Sequence, residues 1–369
     1  MIMRWIVAVV AFLVVAGIGL VGFGNFGTGI DPQSYFDSEG ANSFALILAI
    51  ALVAAFAAYA VTEYLQTGGF GSISRQFDTR TIVLMPLAIA FNIILGQAVG
   101  AALKIPIYLD SIGTILVGAL AGPIPGALTG FLSNILWTYV VPPPFNSGIA
   151  GAFAVVAAVI GVLAGLFGRA GWLRPRPDRP VGQLFGGGVV ALAIVGFLAF
   201  YAYTRFYGAD FSFFNPDNQD LLFTILGWGI ALLFVVFVVG FLALLFLRRD
   251  LAVAYVVVAG VLTGGVAALI SAPIAANVFS GVTGAGTDFL VAAFRQAGSD
   301  IQTATLQQGL LSDPVDKMVT FFTVYLILNA MARRTKARFP QGERLIDSEG
   351  DESLDDDLDT APPPQGAPA

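Results

Sequence analysis

The chain is 369 residues long, 57% hydrophobic and only 11% charged, against about 25% charged in ordinary globular domains. It has neither Cys nor His, which excludes a disulfide framework and the usual zinc and copper sites, so no metal or cofactor is expected. The net charge of −6 belongs to the far C-terminus, where the segment from Gln341 carries nine acids against Arg344; removing that −8 leaves +2 for the rest.

Apolar runs at 5–22, 43–64, 81–103, 111–141, 149–168, 181–203, 221–247, 251–277 and 313–335 reach or approach the roughly 20 residues that a helix needs to cross a bilayer. The alternation of transmembrane strands is absent. The expected fold class is therefore an all-α polytopic membrane protein. The first run, behind Arg4, is longer than the roughly 7–15 residues of a signal h-region, and no A-x-A site follows. It reads as a retained helix.

The run 111–141 is too long for one crossing, and GPIPG at 122–126 breaks a helix with two prolines and two glycines. Charge decides how it folds, because cytoplasmic loops collect Lys and Arg. The basic groups are Arg75 with Arg80, the run Arg169, Arg174, Arg176 and Arg179, the pair Arg248 and Arg249, and the cluster Arg333, Arg334, Lys336 and Arg338. They share one face only if 111–121 and 124–141 form a helical hairpin. About ten membrane segments follow, with both termini cytoplasmic. The external loops are then 23–42, 104–110, 142–148, 204–220 and 278–312. Within the last of these, TDFLVAAFRQAG at 287–298 has the spacing of a small amphipathic helix. The tail 341–369 has nothing apolar to bury and is expected to be disordered.

Polar side chains inside a bilayer are rare and face a bundle interior or a cavity. The third run, 81–103, carries Asn92 near its middle and Gln97 in its outer half; 124–141 adds Asn134, Trp137 and Tyr139. Run 251–277 ends on Ser271 and Asn277. The last run opens with DPVDK, where Asp313 reads as an N-cap, Pro314 as the first helical residue and Asp316 as part of the first turn. Only fifteen apolar residues then precede Arg333, so Asp316 and Lys317 must enter the membrane boundary. Each amide has an ordinary account as interhelical glue, but the shared bias to the outer half suggests an outward-facing pocket. In KIPIYLDS at 104–111, Asp110 or Ser111 can cap the next helix, and Lys104 can reach headgroups. Trp172, Trp228 and Tyr255 read as interface anchors.

Gly118, Gly122, Gly126 and Gly130 repeat every four residues, and Gly260, Gly264 and Gly265 cluster similarly, a pattern that lets helices approach closely. There is no P-loop, no nucleophile–base arrangement and no basic–aromatic face for nucleic acid. An enzyme is not expected. The span centres hold no Asp, Glu or Lys, so ion-coupled transport lacks its usual titratable group.

The stretches LPLAIAFNIILGQ, KIPIYLDSIGTILVGALAGPIPGALTGFLSNILW, ISAPIAANVFSGVTGAGTDFL and SDPVDKMVTFFTVYLIL resemble the substrate-binding (S) component of energy-coupling factor (ECF) transporters. The resemblance covers roughly 81–169 and 251–340 and implies a six-helix core made of 81–103, 111–121, 124–141, 149–168, 251–277 and 313–335. It leaves an N-terminal two-helix extension (1–80), a two-helix insertion (170–250) and the tail 341–369 outside that core. It implies a subunit that binds a vitamin-like micronutrient in an outward pocket and partners a membrane coupling protein and two cytosolic ATPases in a prokaryotic plasma membrane. Asn92, Gln97, Asp110, Asn134, Trp137, Asn277, Asp316 and Lys317 are the substrate-binding candidates. Loops 104–110 and 278–312 would close over the ligand, with Lys104 and Asp110 at the lid. The family docks its first core helix through small residues spaced by four. Here Ala98 and Ala102 have that spacing only in the outer half, while Leu84 and Ala88 match in part. A membrane sensor or assembly module and a stand-alone carrier with a carbonyl-bound ion are the alternative readings.

Overall fold

A computed structural model describes residues 2–23, 39–98, 108–177, 180–207, 239–243, 245–247 and 249–346. They form helices and turns, with no strand among the described residues. Helices α1 (Ile2–Phe23) and α2 (Glu39–Thr67) make an antiparallel pair, followed by the short α3 (Gly71–Ser74) and by α4 (Thr79–Leu95). Then come α5 (Ile112–Ala121), α6 (Pro123–Tyr139), α7 (Ala154–Arg169), α8 (Val181–Tyr207) and α9 (Ala252–Phe279). The chain ends with α10 (Asp288–Gln296), α11 (Ile301–Ala330) and α12 (Arg333–Ala337). Among the described residues, five helical stretches are long and apolar enough to cross a membrane: 3–22, 43–67, 79–98, 150–169 and 252–279.

The expected hairpin at 111–141 is present as α5 and α6. Its turn is Gly122, at φ 128°, a left-handed backbone value that favours glycine. The ten-residue α5 is buried at nine positions, walled by α4, α6, α7 and α11. The four-residue glycine repeat does what its spacing suggests. A Cβ on Gly161 of α7 would lie 2.2 Å from the Gly126 carbonyl carbon of α6, and one on Gly118 would lie 2.8 Å from the Gly161 carbonyl oxygen. Backbones therefore pack directly on each other there. Gly260 and Gly264 bring α9 against Met318 and Pro314 of α11 in the same way, whereas Gly265 faces open space.

The basic groups gather at one end. Arg4 donates to Gln66 at 2.8 Å, Arg80 to the Arg338 carbonyl at 3.0 Å and Arg344 to the Arg169 carbonyl at 2.7 Å. The Arg176 guanidinium sits 4.3 Å over the Tyr255 ring, and its backbone N–H donates to Asp250 at 2.8 Å. Asp250 also accepts from the Tyr325 hydroxyl, tying the loop before α8 to α9 and α11. Burial pushes the Lys336 ammonium below its ordinary pKa, and Arg333 adds to that.

Three expectations need correction. The last long helix does not begin at Asp313. It begins at Ile301, capped by Asp300, whose carboxylate accepts from the Thr303 N–H at 3.0 Å; Pro314 lies inside it. Asp313, Asp316 and Lys317 are therefore mid-helix groups, all buried. Residues 341–346 are packed, not loose: the Gln341 N–H donates to the Leu120 carbonyl at 2.8 Å and Leu345 is fully buried. Ser111 stands at the cap position of α5 without a side-chain capping bond. The expected helix in the long loop is present as α10. Of the expected loop 204–220, residues 204–207 belong to α8; the rest of it, Lys104, Ala102, Arg179, Arg248, Trp228, most of 221–247 and the tail beyond Ile346 lie outside the described residues.

Candidate functional site

At the end of the bundle away from the basic groups lies a cavity of about 360 Å³, within the range of small-ligand pockets. The helical turn just after α4 contributes Gln97 to its lining, α6 contributes Asn134 and Trp137, and α11 contributes Gln308, Asp313 and Lys317. Asp110, Ser111 and Tyr108 enter from the segment before α5, and Thr283, Gly284 and Asp288 from the segment before and at the start of α10. Phe153, Val156 and Ile160 supply an apolar side from α7 and the 3₁₀ turn that precedes it.

The charged part is built on neighbours in α11. Asp316 is fully buried. Its Oδ1 accepts from the backbone N–H groups of Tyr108 and Leu109, each at 3.0 Å, and its Oδ2 pairs with the Lys317 ammonium. Lys317 also donates to the Ser111 hydroxyl at 2.8 Å and lies 3.8 Å from Asp110. Two buried opposite charges thus meet each other, with further hydrogen bonds on both sides, the arrangement that a buried ion pair requires. They also pin the segment before α5, where Leu109 has φ 52°. Asp313 accepts from Ser312 at 3.1 Å and from Ser271 of α9 at 3.3 Å. Across the top, the Tyr108 and Thr287 hydroxyls share a 2.7 Å hydrogen bond. Asp288 folds the preceding turn by accepting from the Thr283 and Gly284 backbone N–H groups at 3.0 and 2.6 Å.

The amide part is different. Asn134 is 6% exposed and lines the cavity, yet its side chain has no hydrogen-bond partner among the described residues. Half-buried Gln97 is in the same position. Beside them, Trp137 is fixed by its indole N–H, which donates to the Phe145 carbonyl at 3.0 Å. Its ring packs over Gly96, where a Cβ would come within 2.6 Å.

Of the eight candidate residues, five line the cavity: Gln97, Asp110, Asn134, Trp137 and Lys317. Asp316 stands just behind the wall. Asn92 is elsewhere, closed into the α4–α5–α6 junction: it donates to Thr114 at 2.8 Å and to Ser133 at 3.0 Å, and accepts from the Gly113 N–H at 2.7 Å. Asn277 is also outside, on the surface of α9, donating to the Pro273 carbonyl at 2.8 Å and accepting from Gln302 at 2.6 Å. Asp313 and Gln308 were missed as site residues because Asp313 resembled a helix cap. The signal that finds them is Asp300, three residues before Thr303 and followed by a helical run.

No protein-family model matches this chain, and no characterised protein or solved structure is similar enough to count as a match.

Proposed function

We propose that this protein is the membrane-embedded substrate-binding subunit of an ATP-driven uptake transporter for a vitamin-like micronutrient, as its resemblance to ECF S components implies. The observation that carries the reading is the cavity: a buried and a half-buried amide without partners among the described residues, and a fixed aromatic ring, stand beside a preformed charge network, at the end of the bundle away from the basic groups. Such apolar pockets with a few placed polar groups are what small-molecule recognition requires. Because basic residues mark the cytoplasmic side, the cavity then faces outward in a prokaryotic plasma membrane. Ten crossings and two cytoplasmic termini belong to this reading, with α1–α2 and the 181–247 insertion outside the six-helix core. The partners are a membrane coupling protein and two ATPases that supply energy through the basic end.

Co-purification from native membranes followed by reconstitution tests it. ATPase subunits should accompany the chain, and the chain alone in vesicles should bind but not concentrate a small molecule. Concentrative uptake by the lone chain under an ion gradient would support a carrier instead. One observation favours that second reading: Asp313, Asp316 and Lys317 lie buried halfway along α11, where a coupling ion would need titratable groups.

A further inference from the structure

We propose that the cavity takes an organic cation, a small molecule carrying a protonated or quaternary nitrogen on a flat ring system. The inference rests on the substrate-binding reading of that cavity and adds the charge of its ligand. Lys317 is the one cation among the described lining residues, and it is already committed to Asp316, Ser111 and Asp110. Asp316 in turn holds two backbone N–H groups and Lys317, so that pair is neutral as a unit. What remains on the walls is acidic. Asp110 has only the long, 3.8 Å share of a Lys317 that Asp316 already holds, and Asp313 is met by two hydroxyls and by no cation within ion-pair distance among the described residues. Asp288 adds a third carboxylate, turned to the loop that it folds.

An anionic ligand would meet the Asp110 and Asp313 carboxyl groups with no free cation among the described lining residues to receive it. A ligand cation would relieve that excess, in surroundings where charge pairs interact more strongly than in water. The nine-tenths-buried Asn134 amide, unpartnered among the described residues, independently marks a place where a ligand's hydrogen-bonding groups belong. The Trp137 ring supplies a face for an aromatic or cationic group. A bare inorganic ion does not fit this description. The cavity volume of about 360 Å³ is far larger than an ion, and no group of three carboxylates converges among the described residues.

Three probes with one indole ring and different charges test the idea: tryptamine, indole-3-ethanol and indole-3-acetate, titrated against the full chain in lipid nanodiscs. Tryptamine should bind ~10-fold tighter than indole-3-acetate or better, because charge pairs interact more strongly in a desolvated site than in water. Asp110→Asn and Asp313→Asn should each narrow that gap, while Asn134→Ala weakens all three probes alike. If Asp313→Asn does not fold, Asp110→Asn carries the test, since its side chain is 28% exposed. Equal or tighter binding of indole-3-acetate overturns the cationic inference and leaves the substrate-binding reading standing. Binding of none of the three at millimolar concentration overturns the inference as well, and ATPase co-purification then judges the transport reading on its own.

Discussion

Two buried asparagines, Asn92 and Asn134, sit on adjacent helices of the same bundle and answer to different physics. At the α4–α5–α6 junction, Asn92 satisfies a backbone N–H and two hydroxyls and is 1% exposed. On the cavity wall, Asn134 is 6% exposed and makes no hydrogen bond among the described residues. Burial alone does not separate a structural amide from a functional one. The separation lies in whether the hydrogen-bonding capacity is already used, because an unmet buried polar group costs about 1–3 kcal/mol unless something arrives to meet it.

The strongest way to test the closed region is through its backbone contacts. Gly161→Val puts a side chain where the Gly126 carbonyl already stands at 2.2 Å from a Cβ, and neither backbone can give way cheaply. The loss should exceed about 3 kcal/mol, the upper part of the overpacking range, read as failure to recover folded protein. Lys317 comes next. Although it lines the cavity, its ammonium is tied to Asp316 and Ser111, so Lys317→Ala leaves a buried carboxylate unpaired. Breaking one side of such a pair costs about 3–5 kcal/mol. Thermal unfolding of this variant should show a large drop, and an unchanged midpoint would place Lys317 with the open group instead.

The asparagine pair itself gives the direct comparison. Asn92→Ala strands the Gly113 N–H and takes a donor from the Thr114 and Ser133 hydroxyls, so stability should fall by about 1–3 kcal/mol with any ligand affinity kept in the surviving protein. Asn134→Ala removes nothing that the fold uses. Its unfolding midpoint should hold, while affinity for tryptamine or a co-purified molecule falls by about 1–3 kcal/mol. Measured together on the same preparations, the two variants should move opposite quantities. Parallel losses of stability in both would erase the distinction.

Much of the architecture was legible because periodicity and charge are local signals. The glycine repeat and GPIPG at 122–126 announce the α5–α6 hairpin, and the Arg and Lys clusters announce which helix ends lie together. Five of eight site candidates line one cavity for a related reason: polar side chains in apolar runs are few, so each one is informative. Asn92 and Asn277 show the limit. Their partners, Gly113 and Ser133 for one and Gln302 for the other, come from segments whose packing no single run encodes. Pro314 misled for a different reason. In water a proline inside a helix costs about 3 kcal/mol, so it reads as a first-turn residue. Within a bundle, neighbouring helices and hydroxyl side chains re-satisfy the backbone that it frees. The result moves the start of α11 back to Ile301 and turns three presumed end groups into buried ones.

Asp300 supplies the smallest and most discriminating case, a polar group that is satisfied like Asn92 but lies in water. Its carboxylate accepts from the Thr303 N–H at 3.0 Å and the Thr303 hydroxyl at 2.8 Å. These bonds, the backbone one first, hold its carboxyl below the usual pKa range. A depressed folded-state pKa means stability that is present above the unfolded value of about 3.9 and is lost as pH falls through the folded value. Asn is an equally good cap that cannot titrate. Wild type should therefore unfold slightly above Asp300→Asn near neutral pH, and the two curves should converge on acidification toward pH ~3. Because solvent screens an exposed carboxylate, the gap should stay well below that of Asn92→Ala. A gap of equal size at neutral pH would mean that satisfaction alone, and not satisfaction in a buried place, sets the cost of losing a polar contact in this protein.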